Sequence, residues 1–220
     1  MKIHVFYSYI SYEFHHTLFK NYLSRFPDDF QRKVLSFRRW QDSQLSLLGR
    51  LLLQYGLEHC YKKNSCLPIN YTIYKKPYID DEMIQFSISH SKEIAICAIT
   101  TSGEIGVDIE FIKPVNINDF KHQMTQNEWG LLDDLNNSEN AFYTYWTQKE
   151  AVIKANGMGF HLPLKSFEVV ANQSVLNAEI YSLKQLIVDK SYICHIAVRG
   201  CLDWKSNSCQ VKELVFNDCF

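Results

Sequence analysis

The chain has 220 residues, 46% of them hydrophobic and 21% charged, and a formal net charge of −1. That length can bury a substantial core in one large domain or two small lobes, and the near-neutral balance removes any global electrostatic case for a nucleic-acid partner. No apolar run approaches the roughly 18 residues that a membrane-spanning helix requires, and the opening Met1-Lys2-Ile3-His4-Val5-Phe6-Tyr7 alternates like a strand rather than a signal peptide, so a soluble, cytoplasmic protein with no membrane partner is expected.

The seven cysteines are scattered (Cys60, Cys66, Cys97, Cys194, Cys201, Cys209 and Cys219) with no Cys-x-x-Cys pair, which argues against a zinc or redox motif and for free thiols in a reducing compartment. The adjacent pair His15-His16 lacks the spacing of a helical metal site and reads as surface or loop.

In chain order, residues 14–26 place Leu18, Phe19, Tyr22 and Leu23 at helical spacing, and Pro27-Asp28-Asp29 reads as a turn and a helix start. Arg32, Lys33, Arg38 and Arg39 interleave with Val34, Leu35, Phe37 and Trp40. This reads as an amphipathic helix with a solvated charged face, or alternatively as a cationic rim for an anionic ligand. Asp42 fits the N-cap of a long, buried helix through Leu45, Leu48, Leu52 and Tyr55 to about Tyr61. Gly49 and Gly56 lie on one side of it, where another backbone can pack closely.

Residues 68–74 alternate as a strand, and Lys75-Lys76-Pro77-Tyr78 reads as extended because residues before proline avoid helix. Asp80-Asp81 make a turn, and Phe86-Ser87-Ile88-Ser89-His90-Ser91 is a strand rich in hydroxyls. Residues 94–100 and 104–110 then read as a hairpin around Thr101-Ser102-Gly103. After Lys113-Pro114, residues 117–122 suit a short helix, and Thr125-Gln126-Asn127-Glu128 fits a capping box for a helix through Trp129, Leu132 and Leu135, broken by Asn136-Asn137. A further helix starts at Ser138, with Glu139 in its first turn, and stops at Asn156-Gly157, with Lys154 in its last turn. Beyond Gly159, residues 164–170, 178–182, 192–198 and 210–216 are strand-like. The order of elements predicts an α+β protein of two halves, residues 1–102 and 103–220.

Two stretches carry the chemistry. Trp146, Glu150 and Lys154 recur every four residues, so a helix stacks them on one face. In Gly106-Val107-Asp108-Ile109-Glu110 the period of a strand puts both carboxylates on one face, roughly 7 Å apart. Packed together, these faces gather three carboxylates and an ammonium, which suits magnesium and a phosphate. Taken singly, each feature has a plainer reading: an acidic pair on a strand is ordinarily its solvent face, and Glu150–Lys154 an ordinary helix salt bridge. Ser89 and His90 are neighbours on a strand and point to opposite faces, which argues against a nucleophile–base dyad.

The ordered set is more specific. Lys76-Pro77, then Phe86-Ser87-Ile88-Ser89-His90-Ser91, then Gly106 to Glu110, then Trp146-x-x-Lys149-Glu150-Ala151 with Lys154, Gly157 and Gly159 resembles the 4′-phosphopantetheinyl transferases of the Sfp type. The resemblance runs from about Lys76 to Phe167, including Leu162-Pro163-Leu164, and more loosely over Leu47-Leu48-Gly49-Arg50-Leu51-Leu52.

That resemblance implies a pseudo-dimer, two similar α+β halves with coenzyme A in the cleft between them, and a monomer in solution. It implies transfer of 4′-phosphopantetheine from coenzyme A to a serine of an apo acyl or peptidyl carrier protein, as in secondary metabolite biosynthesis, with Mg2+ as cofactor and adenosine 3′,5′-bisphosphate as second product. Catalysis falls to Glu150, Lys154 and His90; coenzyme contacts to Lys76, Pro77, Ser89, His90, Asp108 and Lys154; the metal to Asp108, Glu110 and Glu150. A serine hydroxyl needs a base, the role implied for Glu150. The repelling charge of the diphosphate needs cations, the role implied for the metal and Lys154. Carrier docking is implied along residues 121–135, where Met124, Trp129 and Leu131 are candidates that also read as core.

The chain departs from the family pattern at three points. Ser87 stands where asparagine is usual, Leu45 or Gln44 where an arginine commonly serves the coenzyme's 3′-phosphate, and Gln54 where the Leu-Leu-Gly block often ends in arginine. Arg32, Arg38 or Arg39 are candidates to replace the lost contact. Two other classes use the same residues: a metal-dependent hydrolase of the coenzyme A diphosphate, and a non-catalytic carrier-binding module.

Overall fold

The computed structural model describes residues 2–63, 68–135, 138–204 and 208–216, with the backbone alone at Phe160. Met1, Cys66, the Asn136-Asn137 break and Cys219 lie outside the described residues.

Strand β1 (Ile3–Tyr9) leads into helix α1 (Tyr12–Tyr22), a 3₁₀ turn at Leu23–Arg25, and helix α2 (Asp28–Leu35). The helix expected over 14–26 therefore starts earlier and tightens into 3₁₀ before Pro27. Helix α2 begins just after Pro27, with Asp28 and Asp29 in its first turn and Arg32 and Lys33 in its last, the arrangement the helix dipole favours. His15 is not in a loop: it lies on α1, its ring 4.4 Å from Phe19 and 5.6 Å from Trp40. Helix α3 (Trp40–Tyr61) takes Arg39 rather than Asp42 as its N-cap residue; Asp42 sits inside the first turn. Its buried residues include Leu47, Leu48, Leu51 and Leu52. At Gly49 and Gly56 the close neighbours are the side chains of Ile88, Ile99 and Phe6 rather than a backbone.

Strands β2 (Ile69–Tyr71) and β3 (Pro77–Ile79) form a small hairpin. The strand expected to reach Tyr74 is cut short because the chain turns: the Thr72 amide donates to the Lys76 carbonyl at 2.9 Å and the Lys75 amide to the Thr72 carbonyl at 2.8 Å. Lys75 is left-handed (φ 66) rather than extended. Strands β4 (Gln85–Ser91) and β5 (Ile94–Thr100) follow, joined at Lys92-Glu93.

The expected hairpin of β5 with β6 (Ile105–Phe111) does not form. Every residue of β5 is buried and both its edges are taken, by β1 and β4, so β6 has no free edge to join. The Thr101-Ser102-Gly103 turn instead carries the chain into a second sheet.

The second half continues through a 3₁₀ segment at Ile117–Gln123, helix α4 (Gln126–Asp134) and helix α5 (Glu139–Asn156). Both helix starts match the expectations: the capping box of Thr125 with Glu128 is present, and Ser138 accepts from the Ala141 amide at 3.2 Å. Strands β7 (Val169–Val170), β8 (Gln173–Leu176), β9 (Glu179–Leu186), β10 (Tyr192–Arg199) and β11 (Cys209–Glu213) complete the chain. The strand expected from residue 164 begins instead as a 3₁₀ turn after Pro163, closed by a 2.7 Å bond from Ser166 Oγ to the Pro163 carbonyl. Strand β8 has no counterpart in the sequence reading. Its flanking turns use Ala171-Asn172 and Asn177-Ala178, all four at positive φ, without the glycine that normally signals such a hairpin.

The result is an α+β protein with two main sheets, ordered β11-β1-β5-β4 and β6-β10-β9-β8-β7. Helix α3 packs on β1, β4 and β5, and α5 on β6 and β10. The halves repeat one order, a strand, a long helix and an antiparallel pair, with sheet neighbours β1-β5-β4 in one and β6-β10-β9 in the other. Strand β11 returns to the first sheet, parallel to β1. Among the described residues Cys60, Cys97, Cys194, Cys201 and Cys209 are free thiols; Cys97 and Cys194 are buried and Cys201 exposed. Among them too, no helix is long and apolar enough to cross a membrane.

Candidate active site

The two sheets meet where β4 runs beside β6, and here hydroxyls replace a backbone ladder. Ser87 Oγ accepts from the Val107 amide at 3.1 Å and Ser91 Oγ from the Phe111 amide at 3.0 Å. Alternation places Ser89 on the same side, and it donates to Asp108 Oδ1 at 3.0 Å. His90 points the other way and is exposed, so the structure supports the sequence argument against a serine–histidine dyad.

Helix α5 comes close enough to complete this site because residue 106 is glycine. A Cβ there would lie 2.0 Å from the Ala151 carbonyl oxygen and 2.4 Å from the Ala155 amide nitrogen. At that distance Lys154 Nζ reaches Asp108 Oδ1 at 2.6 Å and Ser89 Oγ at 2.8 Å. Asp108 is 4% exposed, not on a solvent face, and its Oδ2 is buried with no hydrogen-bond partner. Glu110 accepts from Ser91 Oγ at 2.7 Å.

The electrostatics are unbalanced. Burial pushes Glu110 above the usual carboxylate range, and the Asp108 charge adds to this against the Ser91 hydrogen bond. Burial likewise raises Glu150, with Asp108 and Glu110 adding to it and Lys154 opposing. His90 is lowered by the protein body beneath it and by the Lys154 ammonium. One ammonium thus faces three carboxylates, and the unpartnered Asp108 oxygen fits a bound cation. Among the described residues no three aspartate, glutamate, histidine or cysteine side chains already converge as a metal cage.

A cleft of about 280 Å³ opens beside these groups. Tyr74, Lys76, Pro77 and Ser87 line it from the first half, and Glu150, Lys154, Gly157 and Gly159 from the second. Lys76 lines the cleft with its stem, but its Nζ donates to the Ala155 carbonyl at 2.6 Å. Trp146 shares a second hollow with Glu150 and packs against Phe120 and Phe142. In the first half, Gln44 and Leu45 are both buried, while Arg32, Arg38 and Arg39 are exposed. Along residues 121–135, Met124 is core, Trp129 partly buried, and Leu131 61% exposed, so only Leu131 departs from the core reading.

The sequence reading passed over Lys149. Its side chain is fully buried, its Nζ 2.6 Å from Glu128 Oε1 and donating also to the Phe167 carbonyl. Glu128 belongs to the α4 capping box, so one carboxylate ties the start of α4 to the middle of α5. The available signal was a lysine flanked one helical turn away on either side by Tyr145, Trp146, Val152 and Ile153. His195, cross-strand from Asp108, is another: its Nδ1 lies 2.8 Å from Thr147 Oγ1 on α5.

A sequence profile described as the 4′-phosphopantetheinyl transferase superfamily matches residues 104–196. The chain is similar to the 4′-phosphopantetheinyl transferase gsp of Aneurinibacillus migulanus, 33% identical over 66% of this chain and 61% of that protein. It is also similar to the 4′-phosphopantetheinyl transferase Sfp of Bacillus subtilis (strain 168), at 32% over 70% of each. The 4′-phosphopantetheinyl transferase ffp of Bacillus subtilis is 35% identical over 63% of each chain. The matches thus span about three fifths to seven tenths of these relatives' lengths.

Proposed function

The chain belongs to the 4′-phosphopantetheinyl transferase superfamily, and we propose that it transfers 4′-phosphopantetheine from coenzyme A to a serine of an apo acyl or peptidyl carrier protein. The observation that carries this reading is the triad of Asp108, Lys154 and Ser89 beside the cleft that Lys154 and Glu150 line, with Asp108 Oδ2 buried and without a hydrogen-bond partner. The repeated strand–helix–strand-pair order supports the pseudo-dimer, divided near residues 102/103, and with it a monomer; a cytoplasmic location is part of the same reading.

Coenzyme A lies in the cleft with its diphosphate toward Lys154 and Ser89 and its nucleotide end toward Pro77. Glu150 takes the proton of the carrier serine as its oxygen forms a bond to the nearer phosphorus; the bond from that phosphorus to the bridging diphosphate oxygen breaks, and adenosine 3′,5′-bisphosphate leaves. Lys154 neutralises charge on the departing oxygen. Asp108, Glu110 and Glu150 would hold a divalent ion, Mg2+ in this reading, which when bound supplies positive charge to the diphosphate. His90, exposed on β4 next to Ser89, would contact a phosphate of the coenzyme in this reading.

The test follows the fate of coenzyme A by chromatography, with and without an apo carrier. The transferase yields adenosine 3′,5′-bisphosphate only when carrier and divalent metal are both present, and EDTA abolishes it. Cleavage without carrier would overturn this reading in favour of the hydrolase, and no cleavage with any carrier in favour of the binding module.

A further inference from the structure

The resemblance assigns Lys76 to the nucleotide end of coenzyme A, but the geometry commits it elsewhere. Lys76 sits at the end of the β2–β3 turn, and its Nζ donates to the Ala155 carbonyl at 2.6 Å. Ala155 lies in the last turn of α5, where carbonyls run out of amide partners and carry the negative end of the helix dipole. An ammonium there caps the helix from outside, across the cleft.

A second observation is independent of that hydrogen bond. Gly157, at φ +86, ends α5, and a Cβ on it would stand 2.6 Å from Lys76 Cδ. The lysine stem therefore lies flat against the residue that stops the helix. The same hairpin makes a third contact just beyond, where the Tyr74 ring stands 5.2 Å from that of His161. Lys154 is the neighbour of the carbonyl that Lys76 holds, and Glu150 lies one turn before it.

We propose that Lys76 is a positioning residue that clamps the C-terminal end of α5 to the β2–β3 hairpin, fixing Lys154 and Glu150 across the cleft, and that its ammonium is not a coenzyme contact. This rests on the reading of the cleft as the coenzyme A site. Removal of the ammonium should then loosen the end of the helix and slow the chemical step while leaving coenzyme affinity nearly intact.

The experiment compares the full-length wild type with Lys76→Met, Lys76→Arg, Gly157→Ala and the double variant Lys76→Met/Gly157→Ala. Two readouts are taken: kcat and KM for coenzyme A in carrier modification, and amide hydrogen exchange at residues 155–159. Lys76→Met is expected to lower kcat about tenfold with KM changed less than about threefold, and to speed exchange at the helix end. Lys76→Arg, which still offers a donor to the carbonyl, should keep most of kcat. Gly157→Ala should lower kcat at least as far as Lys76→Met, since its Cβ displaces the lysine stem and its φ of +86 strains the backbone as well, and the double variant should be little worse than Gly157→Ala alone, because the contact is already broken. A raised KM with kcat preserved, unchanged exchange in Lys76→Met, or additive losses in the double variant would overturn the clamp. If the wild type modifies no carrier, the functional reading falls, and exchange alone still judges the clamp.

Discussion

Asp108 is a carboxylate with one oxygen held by Lys154 and Ser89 and the other held by nothing, at 4% exposure. Leaving a buried acceptor unpaired costs about 1–3 kcal/mol, so the position is expensive unless a ligand uses it. Glu150 adds to the same excess of negative charge. Glu150→Gln removes that charge without changing shape, so activity should fall about 10²- to 10⁴-fold while the thermal midpoint stays level or rises. Wild-type turnover in this variant would remove Glu150 from the chemistry. The proximity of Asp108 to Lys154 was legible in the sequence as two periodicities facing each other. The commitment of Lys76 to Ala155 was not, because residue type and spacing do not say which acceptor a long flexible side chain will choose.

His195 offers a pH test at the same scale. Burial lowers its pKa to about 4, against about 6.5 for a free imidazole. Thr147 Oγ1 donates to the Tyr143 carbonyl at 2.6 Å, which leaves the His195 Nδ1–H to donate to Thr147. The folded protein thus holds the ring neutral while the unfolded chain binds a proton below about 6.5. Its contribution to stability is complete above that pH and is lost as pH falls toward 4, up to about 3 kcal/mol. The raised pKa values of Glu110 and Glu150 work in the opposite direction over the acidic range. The measurement is therefore a difference: urea unfolding of wild type against His195→Asn from pH 7 to 4, where the gap between the two curves should shrink on acidification. A constant gap would contradict the neutral buried ring.

At the scale of elements, the site depends on how α5 is seated. Gly106 admits the helix backbone, so Gly106→Ala drives a methyl into the Ala151 carbonyl and the Ala155 amide. Backbone cannot yield as a side-chain tip can, and a loss of about 3 kcal/mol is expected in denaturant unfolding, with activity falling as Lys154 moves off Asp108. Lys149 anchors the other side. Lys149→Met leaves Glu128 buried without its partner and should cost about 3–5 kcal/mol, whereas a surface lysine would cost almost nothing. The ends of α5 were readable because Ser138 and Gly157 are a cap and a stop that act locally. The β5–β6 hairpin was misread because Thr101-Ser102-Gly103 carries the same local signal whether the chain folds back or crosses to another sheet. What decides is that β5 already has two neighbours, a fact about the whole sheet. Strand β8 escaped because its turns are built from alanine and asparagine at positive φ.

Across the whole molecule, the cleft lies where the two main sheets meet edge to edge, β4 beside β6, with hydroxyls of Ser87, Ser89 and Ser91 bridging the seam. The first half supplies the hairpin wall and the serines; the second supplies the carboxylates and Lys154. Neither half alone holds a site. Strand β11 returns to pair with β1, so the chain's last described strand also ties the units together. This division of labour suits a reaction with two large substrates, one lying in the groove and one approaching its mouth. The α+β class was visible in the order of elements, whereas the route of β11 was not, since a strand's sequence does not name its sheet.

Transferase activity is read from the intact mass of an apo carrier protein incubated with this protein, coenzyme A and magnesium. A gain of one phosphopantetheine on a single serine is expected, absent with EDTA and lost when that serine is replaced by alanine. An unchanged mass across fatty-acid, polyketide and peptidyl carriers, with the protein folded and metal present, would contradict the transferase reading.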